Sequence, residues 1–207
     1  MACPAKRRTV TAWFVLHRIR EAWASERDAL FSGPVEADET YMGGRRKNMP
    51  KAKRQALRGR GPVGKAAVVG ARYRTTKRVS ARVVKSTDAL TLQGFVRERA
   101  EPGTKVFTDE SRAYHGPTDG FEHEAVNHSV DEYGRGMAHS NGIESFWSIL
   151  KRAHKGTFHK ISEKHLQRYV NEFAGRHNVR EADTIRQMES VVVGLVGKRL
   201  MYRDRMA

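Results

Sequence analysis

Three carboxylate side chains have the types and the order expected of a two-metal site for phosphodiester chemistry. Asp109 follows Asp38 by 71 positions, and Glu144 follows Asp109 by a further 35. Cleavage and strand transfer need a reactive attacking oxygen and a stabilised leaving oxygen, which two divalent cations about 4 Å apart supply together. Mg²⁺ prefers oxygen ligands and keeps positions for water and phosphate, so two or three carboxylates suffice. The trio predicts a site for two Mg²⁺ or Mn²⁺ ions.

Each carboxylate alone also has an ordinary structural interpretation. Asp38 could cap a strand, Asp109 could cap a helix that starts near Ser111, and Glu144 could pair with Lys151 on a solvated face. Their order and surroundings together favour the catalytic interpretation. The other acids of these segments are interpreted as supporting or surface residues, namely Glu36, Glu39, Glu110, Asp119 and Asp131.

A first group of strands must position Asp38. The run Val35 to Met42 predicts a strand that ends at two glycines, with Asp38 on one face and Glu39 on the other. Two further strand-like runs, Ala66 to Tyr73 and Val79 to Val84, are separated by a short polar stretch and predict a hairpin.

Alternating helices and strands position the other two carboxylates. Thr87 resembles the N-cap of a helix that extends to about Ala100. The short strand 105–109 then ends in Asp109, and residues 121–130 offer another strand. Helical spacing of apolar residues follows in NGIESFWSILKRAHKG, with Glu144 in its first turns.

Terminal helices complete the predicted fold. Residues 9–26 place Trp13, Leu16, Ile19 and Trp23 on one helix face, and residues 162–177 form a second amphipathic helix. The order of elements resembles the ribonuclease H-like fold, an α/β fold with a mixed five-stranded sheet flanked by helices. We expect an N-terminal helical unit at 1–33, a catalytic domain at 34–180 and a helical tail at 181–207, with one further short helix.

The charge balance indicates a polyanionic partner. The 207 residues include 39 Lys and Arg against 23 Asp and Glu, a net charge of +16. Nucleic acid is the favoured partner, and a merely cationic surface is the alternative. Cys3 is the single cysteine, which excludes a disulfide framework and a zinc ribbon within this sequence. Apolar runs are too short for a membrane span, so we expect a cytoplasmic protein that is nucleoid-associated when bound to DNA.

Basic side chains concentrate between Arg45 and Lys65, where Lys, Arg, Gly and Pro predict a loop. Its charge suits phosphate contact, and a solvated surface loop is the alternative. The expected DNA-binding residues are Arg45, Arg46, Lys47, Lys51, Lys53, Arg54, Arg58, Arg60, His139, Lys151 and Arg152. His154, Lys155 and Lys160 either extend this basic surface or serve general solubility.

Three segments resemble the catalytic blocks of bacterial insertion-sequence transposases of the DDE superfamily. They are VEADETYMGG, VFTDESRAYHG and HSNGIESFWSILKR, and the resemblance covers roughly Val35 to Arg180. It implies that Asp38, Asp109 and Glu144 bind the metal ions, with Lys151 as the basic residue seven positions beyond the glutamate. Asn141 is the alternative third ligand, because some relatives carry asparagine there.

The resemblance also implies an activity and a partner. Such enzymes cleave DNA at element ends and join it to target DNA, usually as homo-oligomers on DNA. Fuller relatives carry a zinc ribbon and a helix-turn-helix, and TAWFVLHRIREAW resembles the end of that unit, so most of it is expected to be missing here. A non-catalytic DNA-binding remnant and a ribonuclease H-like nuclease or resolvase are the alternatives. Trp147 is interpreted as a core residue, with stacking on a displaced base as the alternative.

Overall fold

The computed structural model describes residues 4–24, 30–59, 61–109, 112–114, 120–126 and 141–201. Within them the chain forms six α-helices and five strands. In chain order these are α1 (Pro4–Glu21), β1 (Val35–Met42), α2 (Lys51–Ala56), β2 (Ala66–Tyr73), β3 (Val79–Val84), α3 (Ala89–Arg97), β4 (Lys105–Asp109), β5 (Glu122–Val126), α4 (Asn141–Arg152), α5 (Glu163–Asn178) and α6 (Thr184–Leu195). None of the described helices combines the length and apolar composition that crossing a lipid bilayer requires.

The five strands form one mixed sheet in the order β3-β2-β1-β4-β5. Strands β1, β2 and β3 are antiparallel neighbours, whereas β4 runs parallel to both β1 and β5. Parallel neighbours require a crossover connection. The chain returns from β3 through α3 to place β4 parallel to β1. The predicted ribonuclease H-like fold is therefore confirmed.

Helices cover both faces of the sheet, because β1 alternates its side chains between them. Val35 and Ala37 pack with Leu92 and Phe95 of α3 in one apolar cluster. On the other face, Met42 belongs to a second cluster, which includes the buried residues of α4 and α5, namely Ile143, Phe146, Trp147, Leu150, Leu166, Val170 and Ala174.

Side-chain amides of α5 cover the outer edge of β3. Asn178 accepts a hydrogen bond from the Val79 backbone N–H at 2.7 Å and donates one to the Val79 carbonyl at 2.9 Å. Gln167 accepts from the Val83 N–H at 2.7 Å. These bonds occupy backbone groups that an edge strand would otherwise leave open for pairing with another chain.

Most predicted strand bounds are confirmed, including those of β1, β2, β3 and β4. Strand β5 ends at Val126, and residues 127–130 of the predicted strand lie outside the described residues. The predicted N-cap of α3 is wrong by one position: Asp88 caps the helix, and its side chain accepts from the Thr91 N–H at 2.8 Å. The helix predicted near the C-terminus is confirmed as α6.

The helix predicted at residues 9–26 is confirmed as α1, but the predicted apolar face is not its most buried side. Leu16 is 50% exposed, while His17 and Arg20 are buried. Arg20 pairs with Glu172 of α5 at 2.7 Å, and its guanidinium lies 4.1 Å from the Tyr169 ring centre. This ion pair spans 152 positions, so the helical periodicity of α1 alone does not reveal which face packs.

The basic segment between β1 and β2 is more ordered than the predicted loop. It contains a single 3-10 turn, Arg46–Asn48, followed by α2. The Arg46 guanidinium donates to the carbonyl of Gly59 at 2.6 Å, to that of Arg54 at 3.4 Å and to that of Leu57. One arginine thereby closes the segment on itself.

Candidate active site

Asp38 and Asp109 lie level with each other on adjacent parallel strands. β1 pairs with β4 so that Val35 is opposite Val106 and Glu36 is opposite Phe107. The same offset of 71 residues, continued two positions further, brings Asp38 beside Asp109. The two carboxylates are close enough that the charge of Asp109 contributes to the raised pKa of Asp38. The predicted juxtaposition of these two residues therefore has a direct structural basis in the register.

Two N–H groups hold the Asp38 carboxylate in place. The indole Nε1 of Trp147 donates to Oδ2 at 2.9 Å, and the backbone N–H of Glu39 donates to Oδ1 at 2.8 Å. Burial raises the pKa of Asp38 to about 7, with further increases from the charges of Glu39 and Asp109. Neighbouring carboxylates with a raised pKa are typical of functional sites, including those that bind a cation.

Glu39 lies on the opposite face of β1, as alternation predicts. Its Oε2 accepts a hydrogen bond from the Tyr114 hydroxyl at 3.0 Å. Burial raises the pKa of Glu39, and the charge of Asp109 raises it further, whereas the Tyr114 bond opposes the shift. The pKa of the buried Tyr114 hydroxyl is also raised, first by burial and then by Glu39. Three carboxylates therefore interact around the end of β4, one more than the sequence motif singles out there.

Gly70 makes the contact between Trp147 and Asp38 possible. In the β1–β2 register Gly70 is directly opposite Asp38. A Cβ atom on Gly70 would lie 2.6 Å from the Trp147 ring, so only glycine lets the indole lie against the sheet. Trp147 is 3% exposed. Its interpretation as a core residue is confirmed, and its ring has no open face for a nucleobase.

Glu36 fixes the N-terminus of α4 to the sheet. Its Oε2 accepts from the Ile143 backbone N–H at 2.9 Å, and its Oε1 accepts from Arg74 at 2.9 Å and from Arg72 at 3.4 Å. A Cβ at Gly142 would collide with Arg72 and Glu36, so the helix can approach this closely only with glycine there. Carboxylates are favourable at helix N-termini because they satisfy free N–H groups and complement the helix dipole.

Sequence reasoning placed Glu36 only among supporting or surface residues. The signal that could have identified its role is its face: it lies two positions before Asp38 on the same side of β1. The arginine opposite it in the hairpin, Arg72, supports that interpretation. Arg74 then adds a contact that spacing does not reveal, because its guanidinium lies 3.7 Å from the Phe107 ring centre.

Glu144 is solvent-exposed in the first turn of α4, and Lys151 is exposed near the end of that helix. No group of three or more His, Cys, Asp or Glu side chains within the described residues is arranged to hold a metal ion. The structure thus brings Asp38 and Asp109 together and leaves Glu144 outside their immediate cluster. Asn141 begins α4, but its side chain is outside the described part, as are Arg60, His139 and the side chain of Lys53.

Two adjacent carboxylates fit the donor chemistry of a Mg²⁺ site. Mg²⁺ is commonly held by one or two carboxylates while water and substrate phosphate complete its coordination. Asp38 and Asp109 supply that minimum, and the unfavourable proximity of their charges gives a dication a favourable place to bind.

Residues 30–178 match the family model described as the ISXO2-like transposase domain. The chain belongs to the ISXO2-like transposase domain family. A relative from Haemophilus influenzae, described as an uncharacterized transposase-like protein, is 33% identical over 97 residues. That alignment covers 46% of this chain and 77% of the relative.

The matched transposase domain contains all elements of the candidate site, from β1 to α5. Helices α1 and α6 lie beyond its limits, although α1 packs against α5 through the Arg20–Glu172 pair. The boundaries expected at residues 33 and 180 stay predictions.

The basic residues of this transposase domain differ in whether their charged groups are exposed to solvent. The Arg46 guanidinium donates its hydrogen bonds to backbone carbonyls of the segment that follows β1. The exposed members of the predicted DNA-binding set are Arg45, Lys47, Lys51, Arg54, Arg58, Lys151 and Arg152. Because the family acts on DNA, these exposed cations are the available members of the set among the described side chains.

Proposed function

We propose that this chain is a DNA transposase that cleaves DNA at insertion-sequence ends and transfers the resulting 3′ ends into target DNA. The supporting observation is that the parallel register of β1 and β4 brings Asp38 beside Asp109, the last residue of β4, within a transposase-family domain. Asp38, Asp109 and Glu144 would hold two Mg²⁺ or Mn²⁺ ions. Glu144 is exposed at the start of α4, and Asn141 is its competitor for the third position.

Glu144 is nevertheless the favoured third ligand, because it is the only acidic residue in the sequence of α4. The helix is fixed to the sheet at both ends of its first turns: Glu36 binds the Ile143 N–H, and Trp147 reaches Asp38. These two anchors keep the backbone at Glu144 close to the sheet. The neutral amide of Asn141 would bring no charge to a dication.

The chain's own residues would bind and orient the reactants. Trp147 and the Glu39 N–H orient the Asp38 carboxylate, and Lys151 would contact a phosphate of the bound strand. Bound at the carboxylates, the two cations would make water or a 3′-hydroxyl nucleophilic and stabilise the leaving 3′ oxygen. DNA is the expected partner, with a homo-oligomer assembled on it at the nucleoid.

A strand-transfer assay tests this function. End-labelled duplexes from the sequence that flanks the coding region are incubated with the protein, plasmid target and Mn²⁺. We expect joined products from the wild type, and none from Asp38→Asn, Asp109→Asn or Glu144→Gln. Glu98→Gln is the matched control, because Glu98 is an exposed acid that pairs with Arg82.

The products separate the alternatives. Nicks without joined strands would indicate a nuclease or resolvase. Binding without any product would indicate a non-catalytic remnant. Full activity in Glu144→Gln with none in Asn141→Ala would transfer the third metal-binding position to Asn141.

A further inference from the structure

An open cleft of about 440 Å³ lies at the carboxyl end of β1, beyond the point where β4 ends. Its floor is the end of β1, from Glu39 to Gly43. One wall is formed by Pro62 and Lys65, which precede β2. The other wall comes from the end of α4 and the helical turn after it, and its residues are Lys151, His154 and Lys155. The cleft therefore begins at Glu39, the neighbour of Asp38 in β1, and extends toward the end of α4.

Charge along the cleft changes from acidic to basic. Among the described residues that line the cleft, Glu39 is the single acid. Lys65 from one wall and Lys151 and Lys155 from the other provide three cations, all exposed. Lys151 and Lys155 are four positions apart in consecutive helical turns, so they lie on nearly the same side.

Hydrogen bonds and helical structure hold both walls of the cleft. Arg46 closes the segment that carries Lys65, and the Lys65 backbone N–H donates to the Pro62 carbonyl at 2.9 Å. On the other wall α4 continues into a π-helical turn, Ala153–Thr157, a local geometry that is frequent at functional sites. His154 is buried within this turn at 7% exposure. Burial lowers its pKa, and Lys155 lowers it further, so His154 is neutral at pH 7 and the lysines carry the charge.

We propose that this cleft binds the sugar-phosphate backbone of the DNA strand that enters the carboxylate site, with Lys65 and Lys155 each contacting a phosphate. The inference rests on the proposed function for its choice of DNA. Two cations on opposite walls match the negatively charged backbone of a strand that passes between them. The reacting phosphate would lie outside the cleft, at Asp38 and Asp109. Lys65 and Lys155 thereby become positioning residues for DNA, distinct from the self-bonded Arg46.

The salt dependence of DNA binding tests the cleft without any metal. Duplex DNA binding is measured by fluorescence anisotropy in EDTA from low to moderate salt, for the wild type, Lys65→Gln, Lys155→Gln and the double variant. Each lysine that neutralises one phosphate contributes about 0.9 to the slope of log affinity against log salt. We expect each single variant to reduce the slope by about 1 and the double variant by about 2.

Matched variants make the outcome specific to the cleft. Lys160→Gln removes an exposed lysine outside the cleft lining and should leave the slope unchanged. Lys65→Arg and Lys155→Arg keep the charge and should retain the wild-type slope. Circular dichroism checks that each variant is folded. An unchanged slope in the folded double variant, or an equal reduction in Lys160→Gln, would overturn the proposal. So would a double variant that loses RNA binding while DNA binding is unaffected.

Failure of this proposal and failure of the proposed function give different results. Asp38→Asn should abolish strand transfer and keep the wild-type salt slope. If the wild type makes no joined products but the double variant loses about 2 from its slope, the cleft binds DNA and the catalytic assignment is wrong. If joined products form and the slope does not change, the transposase assignment stands and DNA follows another surface.

Discussion

Glu36 and Asp38 lie two positions apart on the same face of β1, yet their surroundings are opposite. The Glu36 side chain is 2% exposed and is met by two arginines and a helix N–H. Asp38 receives one indole N–H and one backbone N–H, and its charged neighbours are the acids Glu39 and Asp109. One carboxylate is neutralised by the fold, and the other carries a charge that the described residues do not balance.

The difference shows that partners, more than burial, distinguish a structural carboxylate from a functional one. A buried charge with complementary partners is held in one geometry, and removing one partner leaves the others uncompensated. A carboxylate crowded by like charges destabilises the folded chain and is retained where a ligand can use it. The two positions should therefore respond in opposite directions when their charge is removed.

The largest expected effect is the loss of stability in Glu36→Gln. This change leaves Arg72, Arg74 and the start of α4 without a negative partner. Breaking a buried ion pair in this way typically costs about 3–5 kcal/mol. Urea unfolding at neutral pH measures the free energy of unfolding. The Asp38→Asn variant is the comparison, and it should gain stability under the same conditions. Equal losses in both variants would erase the distinction between the two carboxylates.

The second prediction is a pH dependence that Asp38 imposes on the metal-free protein. Its pKa rises from 3.8 in the unfolded chain to about 7 in the folded one, so the folded chain keeps a proton that the unfolded chain releases. Wild-type stability should fall as the pH rises between these values, and the full penalty is present above the folded pKa. Asp38→Asn removes this penalty, so its gain over wild type should grow with pH and reach on the order of 4 kcal/mol above the folded pKa.

Unfolding curves for both proteins from acid to neutral pH give this difference directly. Glu39 has a raised pKa as well, so the pH profile of the wild type alone is not diagnostic. A difference between the two proteins that stays constant with pH would show that the pKa of Asp38 is not raised in the folded chain.

The sequence predicts the position of Asp38 better than it predicts its partners. Alternation within β1 and β4 locates the strands, and the 71-residue separation of Asp38 and Asp109 equals the offset of the parallel register. Element type and face depend on local periodicity, which a sequence contains. For that reason the sheet, its strand bounds and the paired aspartates were all predictable.

The partners depend on contacts between distant segments, which local patterns do not contain. Trp147 lies 109 positions from Asp38, and Ile143 lies 107 from Glu36. Neither bond follows from helical spacing, which indicates only that both α4 residues are buried. The hydrogen bonds of Arg46 were unpredictable for a related reason. The backbone carbonyls that accept them come within reach only once α2 and the residues after it have folded.

A third, smaller effect is expected from Trp147→Phe, which removes the indole N–H that orients Asp38. Loss of a residue that orients a metal ligand commonly reduces activity about 10- to 100-fold. Strand-transfer rates should fall by that factor, whereas the DNA-binding slope should not change. Mn²⁺ affinity, measured by calorimetry, should weaken in parallel and separates orientation of Asp38 from general damage to the fold.

Leu150→Val is a suitable comparison, because it reduces a fully buried side chain on the same helix without touching Asp38. It should lower stability by about 1 kcal/mol and leave Mn²⁺ affinity intact. If both variants lose the same Mn²⁺ affinity, Trp147 acts only through packing and not through its hydrogen bond to Asp38.

The smallest expected effect comes from Tyr114→Phe, which tests whether Glu39 belongs with Asp38 or with Glu36. The Tyr114 hydroxyl is the hydrogen-bond donor that lowers the pKa of Glu39 against burial and the charge of Asp109. Removing it should cost about 1–2 kcal/mol while Glu39 is ionised, because a charged acceptor then loses its donor. The cost should shrink as the pH falls through the Glu39 pKa, since the protonated carboxyl depends less on a donor. Urea unfolding of the variant and wild type at mildly alkaline and acidic pH measures both values. A cost that does not vary with pH would mean that Glu39 keeps one protonation state, and Glu39 would then be grouped with Glu36 as a structural carboxylate.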